Sequence, residues 1–255
     1  MRAIVVLPTY NEAESIGPYI AALRDVSDDI ELLVVDDNSP DGTADIVRRL
    51  ADDYPNVRLL LRDAKDGLGA AYRAGFREVL GAGYDVVVSM DADLSHDPAV
   101  IPTMLGLIEQ GADMVIGSRY VDGGGTANWP LYRRLLSRWG DAYTRTVLGI
   151  GVRDCTAGFR AYRADVLAAI EPDTTQAEGY AFLTELVRRL DHAGYRIEET
   201  PITFTDRAFG TSKMSATIIA ESMWRVTRWA VANRLRPGGA VPRPSPAPAP
   251  PAIDE

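Results

Sequence analysis

The stretch "YDVVVSMDADLSH", residues 84–96, joins a run of valines to two aspartates that stand one residue apart. The valines follow one another without alternating polar residues, which is typical of a strand covered on both faces. Residues i and i+2 of an extended segment point to the same side, so Asp91 and Asp93 can face one point. Two carboxylates at such a short distance repel each other unless a cation lies between them or solvent screens their charges. The stretch therefore indicates either a metal site at a strand end or a solvated acidic loop.

Runs of the same kind recur along the first half of the chain. They predict strands at 3–7, 30–35, 57–61, 85–89 and 113–117. Segments of helical length lie between and after them, at 12–25, 43–53, 69–82 and 98–110. Asn11 with Glu14 resembles a capping box for the first helix, and Pro98 suits the first turn of the fourth. This alternation predicts an α/β fold with a mostly parallel sheet and helices on both faces.

Polar motifs follow three of the predicted strands. They are "PTYNE" (8–12), "DDNSPDG" (36–42) and "DADLSH" (91–96). Ligands of open α/β sheets bind outside the carboxyl ends of the strands, so these motifs are predicted to share one edge. Asp36 and Asp37 could also belong to an ordinary turn. Carboxylates in an incomplete shell suit Mg²⁺ or Mn²⁺, with a substrate diphosphate supplying further oxygens.

Composition limits the classes of protein that fit. The chain has 255 residues, 46% of them hydrophobic, and a net charge of −9, which argues against nonspecific nucleic-acid binding. Its one cysteine, Cys155, fits a reducing compartment, and its two histidines exclude a His-rich metal site. The Walker, HExxH and G-x-S-x-G motifs are absent from the sequence. No run approaches the roughly 18 apolar residues of a membrane span.

The second half of the chain has a different charge pattern. From Arg119 to Arg163 there are eight arginines, no lysine and three aspartates, a net charge of +5. This composition fits either a solvated helix face or phosphate binding, which the guanidinium fork favours. The Gly-rich loop 121–130 is predicted to be mobile, and 131–149 is predicted as a helix that carries several of the arginines.

The C-terminal part is predicted to contain two more helices. Residues 178–193 form one, 195–204 form one strand or two short ones, and 214–236 form an amphipathic helix with four arginines and two tryptophans. That last helix fits either packing on the domain or a position at a membrane surface. The Pro/Ala-rich tail, 237–255, is predicted to be disordered.

A signalling receiver domain is an alternative of another class. The motif "VVDDN" (34–38) at a strand end also fits such a module, which places acids around Mg²⁺. A receiver is about half this length and has no need of an arginine-rich second half.

Eight motifs in this order resemble the dolichol- or polyprenol-phosphate mannosyltransferases of glycosyltransferase family 2. They are "LPTYNE", "VVDDNSPDGT", "GLGAAYRAGF", "MDADLSHDP", "GSRY", "DCTAGFRAY", "EGYAF" and "DRAFGTSK". The resemblance implies an inverting enzyme with a GT-A fold over 1–236, a GDP-mannose donor and a polyprenyl phosphate acceptor. It further implies a nucleotide-binding half at 1–118, an acceptor half at 119–213 and the C-terminal helix at 214–236.

The resemblance also assigns roles to individual residues. It places Pro8, Tyr10, Glu12 and Asp37 on the nucleotide, together with Asp91, and it places Arg207 and Lys213 over the phosphates. Asp91 and Asp93 are the implied metal ligands. Ser95 stands where the family often has glutamine, and its hydroxyl is a weaker ligand. Arg119, Arg133 and Ser137 match the site for the acceptor phosphate, so Asp91, Asp93, Arg119 and Arg133 are the expected catalytic residues.

The residues support this chemistry independently. A phosphate monoester has a second pKa near ~6 and is largely ionised at neutral pH, so it needs cations rather than a general base.

UDP-glucose with the same acceptor is the alternative donor. We expect a cytoplasmic protein, peripheral at the inner face of the plasma membrane, and the resemblance leaves open an integral-membrane partner subunit.

Overall fold

A computed structural model of the chain describes residues 1–206 and 216–235. The side chains of Tyr180, 216–221 and 232–235 are outside this description. Three predictions therefore lie outside the described residues, namely the roles of Arg207 and Lys213 and the disorder of the tail at 237–255.

Among the residues that the structure describes, seven of the nine strands form one sheet. The strands are β1 Ala3–Thr9, β2 Glu31–Asp36, β3 Val57–Leu61, β4 Val86–Ser89, β5 Met114–Ser118, β6 Gly125–Ala127, β7 Arg160–Arg163, β8 Ile197–Pro201 and β9 Thr203–Thr205. Their order in the large sheet is β3-β2-β1-β4-β7-β5-β8. All five strands predicted in the first half are present, each with ends within two residues of the prediction.

Parallel pairing brings the polar motifs together. β1 pairs in parallel with β2 and with β4, and Thr9 lies opposite Asp36 while Val6 lies opposite Ser89. The residues that follow these three strands consequently emerge at one edge. The prediction that the acidic motifs share an edge is confirmed.

Strand β7 is the exception to the parallel arrangement. It lies between β4 and β5 and runs antiparallel to both, with Ala161 opposite Val88 on one side and Val115 on the other. The chain must therefore return across the sheet before β7, and the loop 154–158 arrives at the same edge as the end of β4.

A fully buried arginine holds that loop. Arg160 donates from Nε to the carbonyl of Ala157 (2.6 Å), from Nη1 to that of Leu183 (2.7 Å) and from Nη2 to that of Cys155 (2.8 Å). These bonds compensate much of the cost of removing the guanidinium from water. They fasten the loop before β7 to the helix that contains Leu183.

Eight helices surround the sheet in the described part of the chain. They are α1 Ile16–Val26, α2 Thr43–Asp53, α3 Leu68–Val79, α4 Ile101–Glu109, α5 Leu131–Leu148, α6 Ala164–Ala169, α7 Gly179–His192 and α8 Ala216–Leu235. Pro98 lies in a 3-10 turn before α4, as predicted for a first-turn proline.

The predicted capping box for α1 is wrong. The helix begins at Ile16, whose N–H bonds to the carbonyl of Glu12, and its N-cap is Ser15. Asn11 has a positive φ of 57°, and its N–H donates to Ser39 Oγ at 3.0 Å. Asn11 therefore forms the turn into the site rather than the start of the helix.

Two hydrophobic cores confirm that helices cover both faces of the sheet. Side chains of α1, α2 and α4 pack on one face, against Val5, Leu7 and Val34 among others. Side chains of α3 and α5–α8 pack on the other, against strand residues that include Val6 and Val35. Successive residues of β1 alternate between the two cores, and this explains why its sequence is apolar without alternation.

The Gly-rich loop contains a strand that the sequence did not predict. Within 121–130, β6 pairs in parallel with β9 to form a two-stranded sheet, with Ala127 opposite Thr205. The region predicted as one or two strands at 195–204 is thus β8 followed by β9. This small sheet places Trp129 and Phe204 beside each other, with ring centroids 5.4 Å apart.

Helix α8 packs on the domain. Val226 and Ala230 are buried in the core, and Thr227 Oγ1 lies 2.8 Å from the hydroxyl of Tyr143 on α5. Arg225 donates to the carbonyl of Gln176, while Trp224 is 67% exposed. Throughout 1–206 and 216–235, no helix has the length and hydrophobicity needed to cross a membrane.

The contact between α3 and the sheet gives a testable prediction for stability. A Cβ on Gly75 would lie 2.5 Å from Val6 Cγ1 and 2.9 Å from Val35 Cγ2. Gly75→Ala should therefore lower the free energy of unfolding by about 1–3 kcal/mol in urea denaturation. Gly106 on α4 has nothing within 4 Å of such a Cβ, so Gly106→Ala is the matched control. It should be neutral or stabilising by up to about 1 kcal/mol. Equal effects would contradict the close packing.

Candidate active site

A cavity of about 410 Å³ opens at the carboxyl edge of β1, β2 and β4. Its walls come from the residues after these strands, the start of α3, Gly158 and the start of α7. All the described residues that were predicted on the nucleotide border it, together with Asp93: Pro8, Tyr10, Glu12, Asp37 and Asp91. The fold therefore brings distant sequence motifs into one site.

One end of the cavity combines a buried carboxylate with basic side chains. Asp37 forms an ion pair with Arg62 Nη1, and Arg62 Nη2 also contacts Asp66 at 3.2 Å. Burial raises the pKa of the Asp37 carboxyl, and the Arg62 charge opposes that shift. Lys65 places its Nζ 3.9 Å from the ring centroid of Tyr10. This end offers a hydrogen-bond acceptor and an aromatic face, which suit a nucleotide base.

The two aspartates of the "DADLSH" motif, Asp91 and Asp93, line the cavity. A Cβ built on Gly158 would lie 3.4 Å from Asp91 Oδ1, in ordinary van der Waals contact, so Gly158 lies directly beside the Asp91 carboxylate. Asp93 is only 3% exposed although it borders the cavity, and its Oδ1 accepts a hydrogen bond from Ser95 N–H at 3.1 Å. Leu94, which follows Asp93, has a positive φ of 61° and turns the chain between Asp93 and Ser95. The loop thus holds both carboxylates against the cavity wall.

The donor set fits a hard divalent cation in part. The Ser95 hydroxyl is buried and, in the described part of the chain, has no hydrogen-bond partner. An oxygen orphaned next to two carboxylates is suited to ligation. Among the described residues no group of three or more His, Cys, Asp or Glu side chains could hold a metal. Within the described residues the candidate ligands are therefore Asp91, Asp93 and Ser95, and a substrate diphosphate and water would supply further oxygens.

Arg119 belongs to a buried ion pair. Its Nε and Nη2 donate to the two carboxylate oxygens of Asp154 at 2.8 and 2.7 Å, and its Nη2 also contacts Thr156. Burial alone would raise the pKa of Asp154, but the Arg119 guanidinium outweighs this effect and lowers it. The positive charge of Arg119 is therefore balanced by the Asp154 carboxylate, and the sequence did not indicate this pairing.

A second buried carboxyl lies beside this pair. Asp141 on α5 accepts a hydrogen bond from Cys155 N–H at 2.9 Å. Burial, with a contribution from the charge of Asp154, raises the pKa of Asp141 to about 8. The protonated form of the Asp141 carboxyl is therefore favoured relative to that of an exposed aspartate.

The other two residues predicted for the acceptor phosphate lie on one helix. Arg133 places its guanidinium 4.0 Å over the ring of Trp129, and its Nη1 donates to Asp206 Oδ1 at 3.0 Å. Ser137, one turn later, has its Oγ 2.6 Å from the hydroxyl of Tyr120. Arg119 lies 5.0 Å from the ring of Tyr120, so Arg119, Arg133 and Ser137 share one aromatic-lined surface.

Strand β9 connects this surface to the aspartate loop. Thr205 N–H donates to the carbonyl of Ser95 at 3.1 Å. Phe204 lies edge-on to His96, with centroids 5.0 Å apart, and His96 Nε2 is 3.6 Å from Asp91 Oδ2. The two predicted sites are thus neighbours in the fold.

Sequence reasoning missed several residues of the site. Glu178 lines the cavity, accepts a hydrogen bond from Ala70 N–H at 3.2 Å and forms an ion pair with Arg73. Lys65 and Asp206 were also missed. Glu178 and Asp206 stand inside the motifs "EGYAF" and "DRAFGTSK", so motif membership was an available signal for both. Lys65 follows β3 in a loop with no such signal.

Comparison with curated proteins identifies relatives over most of the chain. An undecaprenyl-phosphate mannosyltransferase from Micrococcus luteus is 49% identical over 234 residues, which cover 92% of this chain and 96% of the relative. A polyprenol monophosphomannose synthase from Mycolicibacterium smegmatis is 44% identical over 235 residues, which cover 92% and 89%.

Solved structures share the fold at lower identity. Glucosyl-3-phosphoglycerate synthase from Mycobacterium tuberculosis matches with a TM-score of 0.63 and 21% identity, covering 94% of this chain and 82% of that one. A mannosyltransferase from Pyrobaculum calidifontis, in complex with GDP-Man and Mn²⁺, matches with a TM-score of 0.61 and 20% identity, covering 94% and 66%. The GT-A fold expected from the sequence is confirmed.

The sequence model of Glycosyl transferase family 2 matches residues 4–170, a range that includes strands β2 to β7, the two aspartates and the arginine-rich helix α5. The chain is therefore a glycosyltransferase that belongs to family 2, in the group that contains the polyprenyl-phosphate mannosyltransferases.

Proposed function

We propose that this chain transfers mannose from GDP-mannose to the phosphate of a polyprenyl phosphate, with polyprenyl-phosphate mannose and GDP as products. The observation that carries the proposal is the junction at β9, which joins the aspartate loop at Ser95 to the arginine surface at Asp206 and Arg133. A diphosphate-bearing donor and an anionic acceptor would meet there. The names of the two relatives support mannose as the sugar.

The two alternatives from the sequence have less support. A UDP-glucose donor has no counterpart in the names of these relatives. A receiver module is not favoured, because the seven-stranded sheet continues past β4 into β7, β5 and β8, and the family match extends to residue 170.

On the donor side, Asp37, Tyr10, Pro8 and Glu12 would bind the nucleotide, and Asp91 and Asp93 would face its diphosphate. With Ser95 Oγ, these aspartates would hold Mg²⁺ or Mn²⁺. When bound, the cation supplies Lewis-acid stabilisation of the charge on the departing diphosphate. The complex of the P. calidifontis mannosyltransferase with Mn²⁺ is consistent with this choice.

The reaction needs no general base. An acceptor phosphate oxygen forms a bond to the anomeric carbon of mannose while the bond from that carbon to the β-phosphate oxygen of GDP breaks. The electron pair leaves with GDP, and no proton is transferred. Attack in line with the leaving group inverts the anomeric centre. The residues' task is to orient two anions, which accounts for an arginine surface beside the cavity.

Arg133 is the principal cation for the acceptor on this proposal. Two nitrogens of Arg119 are bound to the buried Asp154. The charge of Arg119 is therefore largely balanced, and this residue contributes more to the shape of the acceptor surface than to its positive charge. Ser137 and Arg133 lie one turn apart on α5 and face the same surface. The acceptor phosphate would therefore bind along the first turns of α5.

The opposite side of α5 favours a membrane. Five large apolar residues on its first half are exposed: Leu131 68%, Tyr132 72%, Leu135 59%, Leu136 44% and Trp139 57%. Arg134 and Arg138 are exposed among them. Apolar side chains interspersed with arginines suit the interface of an anionic bilayer. We infer a peripheral protein at the cytoplasmic face, docked by α5 rather than by the packed helix α8. This face could also meet an integral-membrane partner subunit.

Removing one carboxylate tests the metal site. Asp93→Asn keeps the shape and the hydrogen bond from Ser95 N–H but removes the charge that a cation requires. Binding of Mn²⁺ in the presence of GDP, measured by calorimetry, should fall by at least tenfold, and transfer should be abolished. Asp97→Asn, which alters a carboxylate that caps the following turn, is the control. Unchanged Mn²⁺ affinity in Asp93→Asn would contradict the assignment.

Removing the acceptor cation tests the second site. Arg133→Ala should weaken binding of a short, water-soluble prenyl phosphate by roughly tenfold to a hundredfold, because a charge-assisted hydrogen bond is worth about 1.5–3 kcal/mol. GDP-mannose binding, measured without acceptor, should hardly change. Arg134→Ala, one residue along the helix, should leave both affinities intact. Equal loss for donor and acceptor would move Arg133 to the donor diphosphate.

Exchanging exposed apolar residues tests the docking face. The double substitution Leu135→Ser and Trp139→Ser should weaken the affinity for anionic liposomes, measured by sedimentation, roughly tenfold or more. The reason is that the variant loses the apolar contact of both side chains with the lipid. Activity on liposomal acceptor should fall, and activity on the water-soluble acceptor should persist. Trp224→Ser with Val231→Ser removes equally exposed residues from α8 and should leave binding intact. The reverse result would place docking on α8.

A further inference from the structure

The side chain expected to bind the acceptor phosphate is engaged by a carboxylate. Arg133 Nη1 donates to Asp206 Oδ1 at 3.0 Å, and Trp129 supports the other face of the guanidinium. The two charged side chains are 23% and 42% exposed, so the pair is accessible from solvent. An anion therefore already lies beside the cation that an anionic acceptor requires.

The backbone before Asp206 is well anchored. Thr205 lies in β9, opposite Ala127, and its N–H also bonds to the carbonyl of Ser95. Phe204 packs against both Trp129 and His96. The carboxylate of Asp206 thus extends from a fixed point next to Arg133.

The ion pair of Arg119 provides a contrast within the same surface. Asp154 is fully buried and accepts hydrogen bonds from the N–H, Nε and Nη2 of Arg119, which makes that pair a permanent part of the fold. Asp206 is half exposed, and its bond to Arg133 uses one nitrogen of the guanidinium. The carboxylate of Asp206 is therefore more accessible to an incoming phosphate than that of Asp154.

We propose that Asp206 occupies Arg133 while the acceptor is absent and yields it to the acceptor phosphate. This inference rests on the function proposed above. Displacing Asp206 costs the same for every phosphate, but free phosphate has no lipid chain to offset that cost. Asp206 therefore lowers the affinity of the Arg133 site for free phosphate and for the acceptor head group by the same factor, and only the acceptor has a lipid chain that offsets this cost.

Steady-state kinetics with a short, water-soluble prenyl phosphate tests the inference. Asp206→Asn should lower the inhibition constant of inorganic phosphate and the KM of the prenyl phosphate, each about twofold to tenfold. The KM of GDP-mannose should not change. Asp173→Asn is the matched control, because Asp173 is an equally exposed acid paired with an arginine, Arg77, and it should alter none of the three constants. Asp206→Ser should act in the same direction as Asp206→Asn.

A double-mutant cycle separates this role from a general effect of charge. In the Arg133→Ala background, Asp206→Asn should give no gain, because the carboxylate acts through Arg133. A gain that persists in that background, or weaker phosphate binding in Asp206→Asn alone, would overturn the inference. If Arg133→Ala itself leaves phosphate binding unchanged, the proposed acceptor site fails instead. If Arg133→Ala weakens binding and Asp206→Asn does not strengthen it, only the role of Asp206 fails.

Discussion

The donor cavity and the acceptor surface both depend on the hydrogen bonds that the buried guanidinium of Arg160 donates. It lies inside the molecule and donates to the carbonyls of Cys155, Ala157 and Leu183. A buried cation is stable only while such acceptors remain in place, so the loop before β7 and helix α7 are fixed relative to each other. That loop supplies Gly158 beside Asp91 and Asp154 beneath Arg119. The donor cavity and the acceptor surface therefore have one common support.

The first half of the fold could be predicted because its signals are local. Valine- and leucine-rich strands alternate with helices, and parallel pairing then sends every strand end to the same edge. The positions of Asp37, Asp91 and Asp93 follow from this rule alone. The capping box at Asn11 failed because local pattern could not distinguish a helix start from a turn whose N–H bonds to Ser39, twenty-eight residues away.

The second half was less predictable because its structure is set by contacts between distant residues. Charge counting gave a basic segment, but Arg119, Arg133 and Arg160 are matched by Asp154, by Asp206 and by backbone carbonyls. Two of these partners lie 35 and 73 residues from their arginines. Asp154 is already counted in the segment's net charge of +5, whereas Asp206 lies outside the segment and offsets one further positive charge. Strand β6 lies in a Gly-rich loop and forms by pairing with the distant strand β9. The local sequence pattern therefore did not predict it.

The two-sided character of α5 has a consequence for which lipids the enzyme can use. Arg133 and Ser137 face the site, while the apolar residues from Leu131 to Trp139 face outward. On the proposed arrangement, the hydrocarbon of the acceptor stays in the bilayer and only its head group enters the protein. In the described part of the chain, no wall would then enclose the isoprene units. The proposed arrangement would accept polyprenols of different lengths, and the composition of the membrane would decide which one is used.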